Sequence, residues 1–267
     1  MINIIDISKC EKLIRIVDNP KGNIIYIHGF TGNYTNKKFM MEYYKEYNFF
    51  SINLPGHGNS KFDSKKEIDF HYFVEVIKSF INELNLTSFI LIGHSMGGAI
   101  SAVISQYFQK QIQLMILEAP ANITIINNWD VIELLIPQDL KETEIIYNKL
   151  FYKLDSIFPN EKQKERFLMK ELDFAKSNID LKPMLEKDKI IEWMTLATEC
   201  LKINNVNTII LLGKFDGIVI AEKTCEFFNG LNKDNYKVFI IDNSAHLPIY
   251  ENRNESFKII DEAIKSI

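Results

Sequence analysis

Ser88-Phe-Ile-Leu-Ile-Gly-His-Ser-Met-Gly-Gly98 is the stretch that decides the fold. An apolar run enters a Gly-x-Ser-x-Gly pentad at Gly93 to Gly97, and a helical pattern, Met96 to Phe108, leaves it. A serine on so sharp a strand-to-helix turn projects its hydroxyl away from the backbone, beside the positive end of a helix. Gly93 and Gly97 flank the turn because a side chain there would collide with neighbouring backbone. Ser95 is therefore a candidate nucleophile. It needs a base, an acid to orient that base, and two donors for a developing oxyanion.

Outward from the pentad, short apolar runs alternate with helical patterns. Strands are expected at Leu13 to Val17, Asn23 to Ile27, Phe49 to Leu54, Ser88 to Ile92, Leu114 to Leu117, Thr208 to Leu212 and Tyr236 to Ile241. Several are continuous Ile, Leu, Phe or Val, as expected of strands covered on both faces. Helices are expected near Lys37 to Tyr47, Asp69 to Leu84, Met96 to Phe108, Ala221 to Leu231 and Arg253 to Ser266. This alternation gives an α/β protein with a mostly parallel sheet flanked by helices. The interval Pro120 to Asn205 breaks the rhythm. It holds helical patterns such as Glu161 to Leu172, punctuated by Pro137, Pro159 and Pro183, and no convincing strand. It is too long for a plain loop and reads as a helical insertion. The expected division is a core of residues 1–119 and 206–267 with residues 120–205 as the insertion.

The histidine inventory points to the base. Of five histidines, His28, His57, His71 and His94 precede Ser95 and only His246 follows it. His246 stands in Asp242-Asn-Ser-Ala-His-Leu-Pro, a polar loop between the last strand and the last helix. In the chain order serine, acid, histidine, the acid lies between them. Asp216, three residues past the strand Thr208 to Leu212, is favoured; Glu118, at the end of the preceding strand, is a rival, and Asp242 a weaker one. The loop His28-Gly-Phe-Thr-Gly-Asn33 follows an early strand, so the amide of Phe30 can face a substrate oxygen, with the amide of Met96 as second donor. His57, in the turn Leu54-Pro-Gly-His-Gly58, is read as structural rather than as a second base. Trp129 and Trp193 are candidates for an apolar substrate pocket, although helical spacing fits ordinary packing as well.

With His28-Gly-Phe30, Leu54 to Gly58, the pentad, Asp216 and His246 in this order, the chain resembles the α/β-hydrolases over nearly its whole length. The resemblance implies an eight-stranded sheet, a helical cap after the sixth strand, no metal and no cofactor. Within that family the strings around Phe30 and Ser95 are similar to bacterial carboxylesterases, including cinnamoyl or feruloyl esterases, and to monoacylglycerol lipases. A serine at the turn departs from haloalkane dehalogenases, and Phe30-Thr31 replaces the Gly-Gly-Pro-Gly run of proline iminopeptidases. The expectation is a serine hydrolase of carboxylic esters with short to medium, aromatic or monoacylglycerol acyl groups. Carbon–carbon hydrolases, lyases and amidases share the same three residues, and a non-catalytic binding protein on this scaffold is a remote alternative.

Composition limits the partners. The 267 residues are 46% apolar and 25% charged, with a formal charge of −4, which gives no basic stripe for nucleic acid and no polybasic membrane anchor. No run approaches the roughly 18 apolar residues of a membrane span. The first residues lack the apolar core of a secretory signal. Cys10, Cys200 and Cys225 are odd in number and lack metal-like spacing, as expected of reduced thiols in a cytoplasm. A small-molecule ester is the expected partner; the oligomeric state stays open.

Overall fold

The computed structural model describes residues 5–267; the N-terminal stretch read for a signal begins in residues 1–4, outside them. The strands are β1 (Lys12–Arg15), β2 (Asn23–Ile27), β3 (Asn48–Ile52), β4 (Phe89–His94), β5 (Ile112–Glu118), β6 (Thr208–Gly213) and β7 (Tyr236–Ile241). All seven coincide with the apolar runs of the sequence. They form one sheet in the order β1-β3-β2-β4-β5-β6-β7, in which only β1 is antiparallel to its neighbour.

Successive residues of a strand face opposite sides of a sheet, and here both sides are covered. Ile25, Ile27, Leu91, Met115 and Leu117 enter one apolar cluster. Ile24, Tyr26, Ile90, Ile92 and Ile116 enter the other. Burial on both faces is why these runs show little polar alternation.

The helices are α1 (Lys38–Tyr43), α2 (Phe70–Leu84), α3 (Met96–Phe108), α4 (Trp129–Ile132), α5 (Leu140–Leu150), α6 (Leu154–Ile157), α7 (Glu161–Ser177), α8 (Lys187–Ile203), α9 (Ala221–Gly230), α10 (Pro248–Glu251) and α11 (Arg253–Ile264). Local chemistry sets their starts. Asp69 accepts the His71 N–H at the head of α2, Asp139 the Glu142 N–H of α5, and Asn160 the Gln163 N–H of α7, each satisfying a donor that lacks a partner within the helix. In α2, Phe70, Phe73, Val74, Ile77, Phe80 and Ile81 recur at helical spacing and are buried.

Among the described residues the sheet has seven strands, one fewer than the eight that the family resemblance implied. Ahead of β1 the chain turns at Ser8 and Lys9, with the Ser8 N–H on Asp6 Oδ1 and with Ile7 and Cys10 packed into the core. The helical interval therefore follows the fifth strand of this sheet. Between β5 and β6 the described residues hold α4 to α8, two 3₁₀ segments (Ile123–Asn128 and Ile179–Leu185) and no strand. Helix α8 also packs along α3, where Gln106 Nε2 donates to the Cys200 carbonyl at 3.0 Å.

The topology places β2 beside β4, with Ile27 opposite Gly93. The chain runs outward from this pair in both directions, to β3 on one side and β5 on the other. The loops after β2 and β4 thus leave the same carboxyl edge side by side, where open α/β sheets form their crevice.

Candidate active site

Ser95 sits at the turn between β4 and α3 with φ 53° and ψ −118°. A positive φ is rarely adopted by a residue with a side chain, and here the surroundings enforce it. The Ser95 N–H donates to the Glu118 carbonyl at 2.9 Å, and the Ser95 carbonyl accepts the N–H groups of Gly98 and Ala121. The flanking glycines are sterically required. A Cβ at Gly97 would lie 2.3 Å from the Ile27 carbonyl oxygen, and one at Gly93 would lie 2.4 Å from the Gly97 oxygen.

His246 faces the same cavity as Ser95, and the histidine is 4% exposed. Its Nδ1 lies 2.8 Å from Asp216 Oδ2. The other carboxylate oxygen, Oδ1, accepts the N–H groups of Ile218 and Val219 at 2.8 and 2.9 Å, so the carboxylate cannot rotate without losing two bonds. The histidine loop is tied down through its own backbone as well. The His246 N–H donates to the Leu150 carbonyl of α5, and Glu251 accepts the Ala245 N–H at 2.7 Å. Burial pushes the Glu251 carboxyl up from its ordinary range.

The rival acids have other partners. Glu118, fully buried, lies 2.6 Å from Lys37 Nζ and accepts the Ile249 N–H at 3.0 Å. Asp242 pairs with Lys214 at an exposed site. The imidazole of His246 is paired with Asp216 alone of the three.

The loop after β2 is pinned by His28, which accepts the Leu54 N–H on Nε2 and donates Nδ1–H to the Gly29 carbonyl. These roles require a neutral ring, and burial lowers its pKa to about 4. The left-handed position of this loop is Thr31, with φ 55°, rather than either glycine. Neither the Phe30 N–H nor the Met96 N–H donates to any group among the described residues. His57 is fully buried behind this loop, with Nδ1 on the Pro55 carbonyl; burial and the neighbouring His28 push its pKa down. It lines neither cavity at Ser95. His94, beside the serine, donates Nε2–H to the His246 carbonyl at 3.0 Å.

Two cavities meet at Ser95 and Phe30. The smaller is walled by Phe70, Ile132, Met184, Trp193 and Met194 among others, and apart from Ser95 every lining side chain is apolar or aromatic. The larger, about 570 Å³, contains His246 and carries the polar groups of Asn33, Tyr147, Lys170 and Glu171 on its wall. Of the two tryptophans, Trp193 lines the smaller cavity and stacks on Phe70 with ring centroids 5.6 Å apart. Trp129 does not line either cavity. It packs against the core with Lys187 above its ring, while Ile132 of the same short helix lines the smaller cavity.

Sequence reasoning missed Lys37 and Glu251. Lys37 stands in the polar string Tyr-Thr-Asn-Lys, which reads as surface, yet it is 1% exposed. Glu251, five residues past His246, was detectable only as a carboxylate close to the base.

Ser95 and the Asp216-paired His246 line one cavity, together with Phe30. The family model described as "alpha/beta hydrolase fold" matches residues 22–253. The chain belongs to the α/β-hydrolase fold family. It is similar to proteins named "Putative esterase/lipase 1" from Mycoplasma genitalium, 30% identical with 94% of each chain covered, and from Mycoplasma pneumoniae, 28% identical with 93% of each covered. A meta-cleavage product hydrolase of known structure superposes with a TM-score of 0.76 at 13% identity, over 97% of this chain and 94% of that one, a likeness of fold. No helix among the described residues is long and apolar enough to cross a membrane.

Proposed function

We propose that the protein is a serine hydrolase of carboxylic esters that works through an acyl-enzyme on Ser95. His246 takes the Ser95 proton as the hydroxyl attacks the ester carbonyl. Asp216 holds the imidazole as the Nδ1–H tautomer and stabilises the imidazolium. The amides of Phe30 and Met96 receive the oxyanion, a contribution of several kcal/mol to the transition state when the donors are preorganised. His246 then gives its proton to the leaving alcohol and activates the water that frees the acid. The observation that carries this reading is the His246–Asp216 pair, with the second oxygen of Asp216 clamped by two amides.

The same geometry orients the substrate. The leaving oxygen must come within hydrogen-bond reach of His246, and His246 lines only the larger cavity. The alcohol arm therefore lies there, among Tyr147, Lys170 and Glu171, and the acyl arm lies in the apolar cavity under Trp193. Residues 120–205 act as the cap that supplies most of the smaller cavity's wall and nearly half of the larger one's, and the protein works in the cytoplasm.

A panel of p-nitrophenyl esters of increasing acyl length, with aromatic esters and a monoacylglycerol, tests the activity. Turnover on several members is expected. Ala121→Leu, which narrows only the apolar cavity, lowers kcat/KM for hexanoate by roughly 10-fold or more and leaves acetate little changed. Equal losses on both esters contradict the arm assignment, and no turnover on any ester contradicts the ester reading.

A further inference from the structure

Beside the elbow lies a buried ion pair that the proposed chemistry does not use. Lys37 and Glu118 are 1% and 0% exposed and approach to 2.6 Å. The aromatic rings of Tyr26 and Phe39 flank the ammonium at 6.0 and 5.6 Å. Two charges taken from water are costly, and such a pair is often replaceable by apolar residues without loss of stability. Its contacts suggest a different role.

Lys37 ends the 3₁₀ turn Tyr34–Lys37 and so closes the loop that carries Phe30. Glu118 ends β5 opposite His94, and its carbonyl accepts the Ser95 N–H at 2.9 Å. Its Oε1 accepts the N–H of Ile249, three residues past His246, at 3.0 Å. One ion pair thus touches the three segments that carry the oxyanion donor, the nucleophile and the base. Neither residue lines a cavity at Ser95.

We propose that Lys37 and Glu118 are positioning residues. Their pair fixes the spacing of the Phe30 loop, the Ser95 turn and the His246 loop. This rests on the catalytic reading above. Misplacement of reacting groups by about 1 Å can cost on the order of 10²-fold in rate, so the pair acts on turnover and not on substrate affinity.

The test is the double variant Lys37→Met/Glu118→Gln, which removes both charges at similar volume and keeps an acceptor for Ile249. Each variant is assayed on a p-nitrophenyl ester and by the rate constant for inactivation with a fluorophosphonate. That rate constant refers only to folded sites, so partial misfolding does not imitate the effect. The double variant is expected to lose about 10²-fold in kcat and in inactivation rate, with KM unchanged and a thermal midpoint near that of the parent. If it does not fold, Glu118→Gln alone is read in the same way. A variant that keeps parental kcat and inactivation rate, or whose loss appears in KM, overturns the proposal. A parent protein that the phosphonate does not modify overturns the catalytic reading instead.

Discussion

Replacing Asp216 by asparagine changes one atom of the carboxylate and should abolish most of the activity, for a reason visible in the hydrogen bonds. Oδ1 accepts two backbone N–H groups, from Ile218 and Val219. Only the carbonyl oxygen of an asparagine can satisfy both, so its NH₂ must turn toward His246 Nδ1, 2.8 Å away. That nitrogen then becomes an acceptor, and the ring proton moves to Nε2, the atom that should receive the Ser95 proton. A base trapped in the wrong tautomer costs about 10⁴-fold in kcat, or roughly 5.5 kcal/mol of transition-state stabilisation. The fold should be unaffected because every buried polar atom keeps a partner. Steady-state hydrolysis of p-nitrophenyl butyrate, with circular dichroism as a check on folding, measures the effect. A folded Asp216→Asn protein within 10-fold of the parent, or a larger loss in Glu118→Gln than in Asp216→Asn, refutes the argument.

Two further outcomes follow from buried groups. His28 has a folded pKa of about 4, below the ordinary value of about 6.5, so the unfolded chain takes up its proton first as pH falls. Its contribution is complete above about pH 6.5 and is lost toward pH 4, about 3 kcal/mol in all, with His57 and His94 acting in the same direction. The urea midpoint should fall markedly between pH 7.5 and 4.5, and a flat profile contradicts this. Gly97→Ala would drive a methyl against the Ile27 carbonyl at 2.3 Å; a loss of about 4 kcal/mol or more is expected, and an unchanged thermal midpoint contradicts the packing.

The parts of the molecule that sequence reveals are those set by local pattern. The seven strands were legible because burial on both faces leaves uninterrupted apolar runs, and the elbow because its Gly-x-Ser-x-Gly spacing is contiguous in the chain, although the contact that requires Gly97 is with the Ile27 carbonyl far upstream. His246 followed from chain order, since no other histidine lies beyond Ser95. The choice between Asp216 and Glu118 was not local. Glu118 ends β5 and Asp216 lies in the loop after the neighbouring β6, and what separates them is Lys37, some 80 residues upstream of Glu118 and buried against it. The same limit applies to the tryptophans. Helical spacing says that one face of α4 and of α8 is covered, but not that Trp193 covers Ser95 while Trp129 covers the core.

The central claim is that Ser95 is the nucleophile. Intact-mass and peptide analysis after treatment with a fluorophosphonate tests it most directly. One adduct per chain on the peptide containing Ser95 is expected, together with its absence in Ser95→Ala and a fall in ester turnover of roughly 10⁴-fold or more in that variant. An adduct at another residue, or ester hydrolysis by Ser95→Ala at the parental rate, would contradict it.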